Sequence, residues 1–236
     1  MKKYEFTGET KDFCGVELHR IRALKDFGDV AAGDLGGWIK GEENLSHDGR
    51  CWVYGTARVY GNAQVSGDAQ VSGNAQVSGD AQVSGDAWVS DDARVSGDAW
   101  VSGDARVFGN AWVSGNAQVS GDAQVSGDAW VSDDARVSGD AQVSGDARVF
   151  GNAWVAGDAE IKATKDTFLI SMIGSRYGTT TFFRCTDGKV RVTCGCFYGD
   201  LDEFLAKVEK THGDNKHGKA YKKAVELAKI QMEEDV

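Results

Sequence analysis

The sequence predicts a mainly β protein built around a left-handed parallel β-helix of hexapeptide repeats, assigned to residues 51–164. A six-residue unit, Ala-x-Val-Ser-Gly-Asp with conservative variants, recurs seventeen times without insertion from Ala57 to Asp158, and Cys51 to Thr56 adds one more copy. The chain has 31 glycines and no proline, which suits a β protein with glycine turns. A helix is excluded because glycine every six residues would cost about 1 kcal/mol each time. Three hexads make one triangular coil, so the repeats predict about six coils.

The repeat also assigns an inside and an outside to the coil. Side chains alternate across a strand, so the valine of each hexad, from Val53 to Val155, points inward and its neighbours point outward. Alanine fills the tight inner corner. The Gly-Asp or Gly-Asn pair makes the turn, because these residue types tolerate a positive φ.

Both ends of a stack of strands expose an unpaired edge, and the flanking segments are predicted to cover them. Residues 1–50 are expected to form an N-terminal β cap with strands at Val16–Leu24 and Val30–Ile39. The segment Leu45 to Arg50 fits the hexad register, with His47 in the valine position.

Residues 165–236 are predicted to form a small α+β domain. The sequence Asp200-Leu201-Asp202-Glu203 resembles a capping box that opens a helix to about Thr211, and a second helix is expected at about 218–233. The predicted strands of this domain are Thr167–Ile173, Thr179–Cys185 and Lys189–Phe197.

Charge and composition argue against duplex nucleic acid and a membrane as partners. The formal net charge is −10, and the acidic excess lies mostly in 51–164, so binding to duplex nucleic acid is not expected. No long apolar run is present, which predicts no membrane span. The N-terminus lacks an apolar signal-peptide core, so a cytosolic location is expected, with the five cysteines as free thiols.

Motifs in both caps resemble a family of bacterial and prophage hexapeptide-repeat proteins that often carry transferase or polymer-forming labels. The resemblance implies the β-helix fold, a phage-like context in the host cytosol, and trimeric assembly, but no established chemistry. The N-terminal motifs are the run Asp26 to Ile39, then Asn44-Leu45-Ser46-His47 and Cys51-Trp52-Val53-Tyr54. The tail, which looks like a phage-associated module, carries Ile173-Gly174-Ser175-Arg176, Cys194-Gly195-Cys196-Phe197, Phe204 and Thr211-His212-Gly213-Asp214.

Acyl-CoA-dependent transfer is the enzymatic alternative. Hexapeptide acyltransferases resemble one another in using a histidine base near the subunit interface, usually with a loop extruded from the coils. Here the repeat body has neither a histidine nor an extruded loop, and general-base catalysis from the coils has no candidate. The histidines His19, His47, His212 and His217 all lie in the predicted caps. We therefore expect a non-enzyme with no cofactor.

A metal site is a weaker possibility. Cys194 and Cys196, with His212 or His217, could suggest zinc. Both thiols fall on one strand face with Val190 and Val192, which favours buried core cysteines and no metal.

Residues 18 apart stack on one outer face, about 4.8 Å apart. Face 1 carries Arg58, Gln76, Arg94, Trp112, Trp130 and Arg148; face 2 carries Trp52, Gln70, Trp88, Arg106, Gln124 and Gln142; face 3 carries Gln64, Gln82, Trp100, Gln118, Arg136 and Trp154. The run Arg94, Trp112, Trp130 and Arg148 is the predicted ligand or partner surface. It could stack on a planar base, mediate self-association, or merely cover the strands.

One corner forms a row of carboxylates from Asp68 to Asp158, which is interpreted as solvated turns, with calcium binding as the alternative. Residues 87–116 and 129–158 agree at 27 of 30 positions with an offset of 42, seven hexads. The copy is therefore rotated by one face, which is typical of a spacer. Specific binding is accordingly expected in the caps. The candidate cap residues are Trp38, His47, Arg176 and His212.

The leading functional prediction is a non-catalytic β-helical scaffold or binding protein, expected to be a homo-oligomer. A sharper version is a phage-type anti-defence protein that sequesters a host component, either a host protein or a small nucleotide immune signal.

Overall fold

The computed structural model describes residues 2–232 and confirms a β-solenoid flanked by two caps. The solenoid has about seven turns and three walls of parallel strands. Its left-handed sense stays a prediction. The extra turn beyond the six expected comes from strands on either side of the hexads, since Leu35–Ile39 pairs in parallel with Arg58–Val59, and Glu160–Ile161 pairs with Gln142–Val143.

The three walls carry the three faces inferred from the sequence. The face 1 strands are Leu35–Ile39, Arg58–Val59, Gln76–Val77, Arg94–Val95, Trp112–Val113, Trp130–Val131 and Arg148–Val149. The face 2 strands are Trp52–Val53, Gln70–Val71, Trp88–Val89, Arg106–Val107, Gln124–Val125, Gln142–Val143 and Glu160–Ile161. The face 3 strands are Gln64–Val65, Gln82–Val83, Trp100–Val101, Gln118–Val119, Arg136–Val137 and Trp154–Val155.

The core is a column of valine and alanine. Every hexad valine from Val53 to Val155 is at most 1% exposed, and the corner alanines from Ala57 to Ala159 are equally buried. Backbone hydrogen bonds join each coil to the next, as from the Gln64 N–H to the Ala81 carbonyl at 2.9 Å. The interior is therefore dry and its polar backbone groups are paired.

Aspartate replaces the turn glycine at two places in the duplicated block. Asp91 and Asp133 both adopt a φ of 59°, in the region that glycine occupies in the other turns. The Asp91 carboxylate accepts from the Gly109 N–H, and the Asp133 carboxylate from the Gly151 N–H, both at 3.0 Å. Each side chain thus makes a hydrogen bond to the following coil that glycine could not make.

The N-terminal cap contains a strand that sequence periodicity missed. Tyr4–Phe13 pairs antiparallel with Val16–Ala23, which pairs with Leu35–Ile39, so the hairpin extends the face 1 sheet. The first strand is polar and changes register between Phe6 and Thr10, which hides its alternation. The predicted strand from Val30 begins only at Leu35, because residues 26–34 form a loop closed by aspartate side chains.

The predicted inward position of His47 is wrong. Leu45 bridges Val65 and occupies the valine position instead. The turn from Leu45 to Cys51 is longer than an ordinary repeat turn, and it carries His47 outside the coil. There the imidazole stacks on Tyr4 at 4.3 Å and its Nδ1 accepts from the Lys3 N–H at 3.2 Å. His47 is thus a hydrogen-bonded residue of the cap. A short 3₁₀ segment, Glu42–Asn44, precedes this turn.

The C-terminal domain is a four-stranded antiparallel sheet covered by two helices, α1 (Leu201–His212) and α2 (Lys216–Met232). Asp200 and Glu203 form the expected capping box. Residue 233 of the predicted second helix lies outside the described residues. The strands are Thr167–Ile173, Gly178–Arg184, Val190–Cys194 and Phe197–Asp200, preceded by the 3₁₀ segment Thr164–Asp166.

The fourth of these strands was not predicted, because Gly195, with a φ of 61°, reverses the chain within the expected strand Lys189–Phe197. Cys196 therefore lies exposed in the turn, so the expectation of two buried core thiols is wrong for Cys196, while Cys194 is half-buried. Neither helix in residues 2–232 combines the length and the apolar character that crossing a bilayer requires.

The alternation predicts a sharp contrast between neighbouring residues. Val119→Ala removes two buried methyl groups and should lower the free energy of unfolding by about 2 kcal/mol. Gln118→Ala, on the exposed side of the same strand, should change it by less than about 0.5 kcal/mol. Urea unfolding of the two variants measures the difference, and equal effects would contradict the assignment of the valines to the interior.

Candidate functional site

Face 1 is one continuous ladder of arginine and aromatic side chains. The register runs Arg20, Trp38, Arg58, Gln76, Arg94, Trp112, Trp130 and Arg148 across successive strands. The structure therefore aligns the four predicted surface residues Arg94, Trp112, Trp130 and Arg148. It adds Arg20 and the cap candidate Trp38, which the spacing of 18 could not reveal because the cap has no hexads.

Two indole rings of this ladder stack on each other. Trp112 and Trp130 stack with centroids 5.1 Å apart and planes 4° apart, and Arg148 lies over Trp130 at 5.7 Å. These contacts occupy the two faces of the Trp130 ring, which favours the interpretation in which this residue covers the strands.

Five of the solenoid indoles also have their N–H satisfied within the coil. The donor bonds a serine hydroxyl sixteen residues earlier, on the preceding turn, which fixes the ring against the wall. The pairs are Trp88 with Ser72 (3.1 Å), Trp100 with Ser84 (3.3 Å), Trp112 with Ser96 (3.1 Å), Trp130 with Ser114 (3.1 Å) and Trp154 with Ser138 (3.2 Å).

The duplicated block is rotated as the sequence predicts. Trp88 stands between Gln70 and Arg106 on face 2, whereas its duplicate Trp130 stands between Trp112 and Arg148 on face 1. The two tryptophans share a local sequence and an indole–serine bond but not a face, so no single face has accumulated the aromatic residues.

The corner row of aspartates is engaged by protein groups at its two ends. Arg50 donates to Asp68 through Nε at 2.9 Å, and this pairing lowers the pKa of the Asp68 carboxyl. Tyr198 donates to Asp158 at 3.3 Å. Within residues 2–232, no group of three or more histidine, cysteine or acidic side chains is placed to hold a metal ion.

A cleft of about 810 Å³ lies where the last coils of the solenoid meet the C-terminal domain, and we call it the end cleft. It brings together two of the four cap candidates, Arg176 and His212, whereas Trp38 and His47 lie in the N-terminal cap. Its lining comprises Asp134, Arg136, Asn152, Trp154, Ser175, Arg176, Tyr177, Gly178, Thr179, Thr181, Thr193, Cys194, Gly195, Cys196, Phe197, Phe204, Lys207, Val208, Thr211, His212 and Tyr221.

The two walls of the end cleft are tied together by hydrogen bonds. The Trp154 N–H donates to the Thr181 hydroxyl at 3.0 Å, and the Thr193 hydroxyl donates to the Trp154 carbonyl at 2.6 Å. An antiparallel bridge between Ala159 and Cys185 adds a third connection. The solenoid thus holds the C-terminal sheet in a fixed position beside Trp154.

Tyr221 supports the inner part of the end cleft. Burial, and next the contact with Cys194, raises the pKa of Tyr221 to about 12, and the Cys194 Sγ lies 3.7 Å from its hydroxyl. A β-carbon at Gly174 would overlap this hydroxyl, so glycine is needed there. The His212 ring lies 5.7 Å from the Tyr221 ring, which places the imidazole at the helical side of the cleft.

The hairpin at the rim of the end cleft carries backbone strain. Met172 and Tyr177 have φ values of 60° and 51°, a conformation that side chains other than glycine rarely adopt. Both side chains are largely exposed, at 74% and 64%. The hairpin between them presents Arg176 to the cleft.

The environment of His212 gives little help to acid–base catalysis. Within the described residues, the histidines that approach a carboxylate are His19 and His47, each at 3.8 Å, and both lie in the N-terminal cap. His212 therefore lacks the carboxylate that would orient a catalytic imidazole.

Two comparisons with known proteins bear on this chain, and the first concerns the repeat body. It matches the family described as YdcK Beta solenoid repeat at 57–73, 69–85, 75–91, 81–97, 87–103, 99–115, 117–133, 123–139 and 141–157. The chain is also similar to the uncharacterized acetyltransferase YdcK of Escherichia coli (strain K12), with 40% identity over 62 residues. That match covers 23% of this chain and 19% of the relative. These findings support a bacterial β-solenoid repeat protein, and the phage-type tail stays a prediction.

Thiol reactivity should report the arrangement of the caps. Cys14 and Cys196 are exposed and should react quickly with a disulfide reagent in the native protein. Cys185 should not react even at pH 9, because burial, reinforced by the Asp158 carboxylate, raises its pKa to about 12. Mass-spectrometric mapping of labelled thiols checks this, and rapid labelling of Cys185 would contradict the sealed junction with the solenoid.

Proposed function

We propose that this protein is a non-catalytic scaffold and binding protein whose ligand site is the end cleft. The ligand class is a small anion with a planar ring, and a nucleotide of the host cell fits this description. The observation that carries the proposal is the charge of the cleft. Its lining holds Arg136, Arg176 and Lys207 against the single carboxylate of Asp134, in a chain of net charge −10.

The remaining lining suits the rest of a nucleotide. Trp154, Tyr177 and Phe197 provide aromatic surface for a planar ring. Hydroxyl groups of Ser175, Thr179 and Thr211 provide hydrogen-bonding partners for a sugar or phosphate. The volume of about 810 Å³ lies within the usual range of small-molecule sites.

The biological setting belongs to the same proposal. A protein that binds a host nucleotide without transforming it acts as a sink, which is the anti-defence role expected of a phage-type protein in the host cytosol. We also propose a homo-oligomer, with the trimer that the family resemblance implies. A bound host protein is the alternative occupant.

Acyl-CoA-dependent transfer is the second candidate, and one observation favours it. The relative that is 40% identical over 62 residues is named an acetyltransferase, although it is uncharacterized. Acyl-CoA also carries a nucleotide with phosphates, so it would need the same cationic and aromatic groups of the end cleft as the first candidate ligand. His212 would then have to serve as the base.

Calorimetry with a panel of mono- and dinucleotides and acetyl-CoA tests both candidates. We expect saturable nucleotide binding that Arg176→Gln weakens at least tenfold, because a charge-assisted phosphate contact contributes about 1.5–3 kcal/mol. Arg106→Gln, on a solenoid face outside the lining, is the matched control and should bind normally.

Native mass spectrometry of the protein from its host reports stoichiometry and retained ligand together. Failure of every nucleotide to bind would overturn the proposed ligand class. Acetyl-CoA binding, with acetyl transfer that His212→Ala abolishes, would favour the enzyme instead.

A further inference from the structure

Three cations gather around two aromatic rings at the start of face 1, far along the chain from the end cleft. Lys11 Nζ lies 4.1 Å from the centroid of the Trp38 ring, and the Arg20 guanidinium lies 5.7 Å from the same ring. The Arg58 guanidinium lies 4.5 Å from the Phe13 ring. We call Lys11, Arg20 and Arg58 the N-terminal cation cluster.

This cluster is short of negative charge. Arg20 donates to Glu9 at 3.1 Å, but within residues 2–232 neither Lys11 nor Arg58 has a carboxylate within ion-pair distance. Burial, then the charge of Arg58 and then that of Arg20, together lower the pKa of Lys11 to about 8. The cations therefore repel one another at a position where the solvent screens them incompletely.

Two donors of the cluster also lack a partner. The Nε atoms of Arg20 and Arg58 are buried and make no hydrogen bond within the described part of the chain. Unsatisfied buried donors are costly, and a charged donor more so than a neutral one. An oxyanion bound beside the three cations would relieve their mutual repulsion.

We propose that the N-terminal cation cluster binds a small oxyanion of the phosphate-monoester type, held directly by Lys11 and Arg58, with Arg20 as the third positive charge. This site is independent of the end cleft and of the ligand proposed there. Inorganic phosphate and the phosphate group of a small metabolite share the required chemistry.

Phosphate fits better than a single carboxylate for two reasons. It carries a charge of about −1.5 to −2 at pH 7 and three acceptor oxygens, which matches a group of several cations. A guanidinium binds phosphate in a bidentate manner, and lysine contributes a point charge beside it. The Phe13 ring lies 4.5 Å from the Arg58 guanidinium, and this contact restricts the position of that group.

The competing explanation is that the cations merely cover Trp38 and Phe13 through cation–π contacts. One cation over each ring would accomplish that, whereas Trp38 has two.

The pH dependence follows from the charges around Lys11. The groups that act on it from the packed elements are Arg20 and Arg58, while Glu9 is engaged by Arg20 and Glu17 lies by His19 at 3.8 Å. Because the folded pKa is below the unfolded value, protonated Lys11 destabilises the free protein below pH 8, and stability increases as pH rises from about 8 to 10.5. A bound oxyanion favours protonated Lys11, so its binding weakens over the same range.

The test is calorimetry and thermal unfolding of the full chain with inorganic phosphate, at pH 7.5 and constant ionic strength set with chloride. We expect one phosphate per chain and an increase in Tm. Lys11→Gln and Arg58→Gln should each weaken binding at least tenfold. Arg94→Gln, two coils along the same face, is the control and should leave phosphate binding unchanged.

A second readout separates this result from misfolding. Without phosphate, Lys11→Gln should unfold at a Tm equal to or above that of the parent, because it removes one of the repelling charges. Phosphate binding to the parent should weaken about tenfold between pH 7.5 and pH 9.5, with little change in Lys11→Gln. Glycerol phosphate in place of inorganic phosphate tests whether a phosphorylated metabolite is accepted as well.

Three outcomes overturn the proposal. The first is no saturable binding of phosphate, and the second is equal binding in Lys11→Gln, Arg58→Gln and the parent. The third is a change of sedimentation in the cluster variants with no effect of phosphate, which would make this surface an interface between copies of the chain.

Discussion

The solenoid completes one turn every 18 residues, and the backbone of each strand is hydrogen-bonded to the strand one turn later. The Ser66 N–H reaches the Val83 carbonyl and the Trp100 N–H reaches the Ala117 carbonyl in the same way. Since the bonds are backbone bonds, they tolerate varied outward side chains, whereas an inserted residue has to be absorbed in a turn, as between Leu45 and Cys51. The inward valines stack only when this spacing is kept. The same spacing determines the positions of the three faces and of the two caps.

The six-residue period assigned each repeat residue to its wall, because the hexads contain no insertions. Trp52, expected on outer face 2, is instead 1% exposed, because Tyr4 and Phe27 of the N-terminal cap pack against its ring. The assignment failed where the period ends. Leu45 rather than His47 enters the coil, since a longer turn absorbs residues that no periodicity counts. The strand Tyr4–Phe13 is polar and irregular in register, so neither it nor the position of Lys11 over Trp38 was predictable. The end cleft joins segments far apart in sequence, which explains why only Arg176 and His212 were anticipated there.

The two caps satisfy the unpaired backbone groups at the two ends of the solenoid with different side chains. At the N-terminal end the ammonium group of buried Lys3 donates to the Cys51 carbonyl at 2.8 Å and to its Sγ at 3.1 Å, and Tyr4 donates to the Leu45 carbonyl at 2.9 Å. At the C-terminal end hydroxyl groups of Thr181 and Thr193 bond the backbone of Trp154. Each cap thereby supplies the hydrogen bonds that a further coil would have made, and each gathers polar groups at the end of an otherwise uniform shaft.

The block duplicated with an offset of seven hexads has a geometric consequence for the two ends. Adding or removing one hexad leaves the cross-section unchanged but turns everything beyond it by a third of a revolution. Three hexads together restore the angle and lengthen the shaft by about 4.8 Å. Slippage between near-identical copies in the gene therefore changes the rotation of one cap relative to the other in steps of 120°. It also changes the distance between the caps by the rise of each added hexad, and the core stays the same.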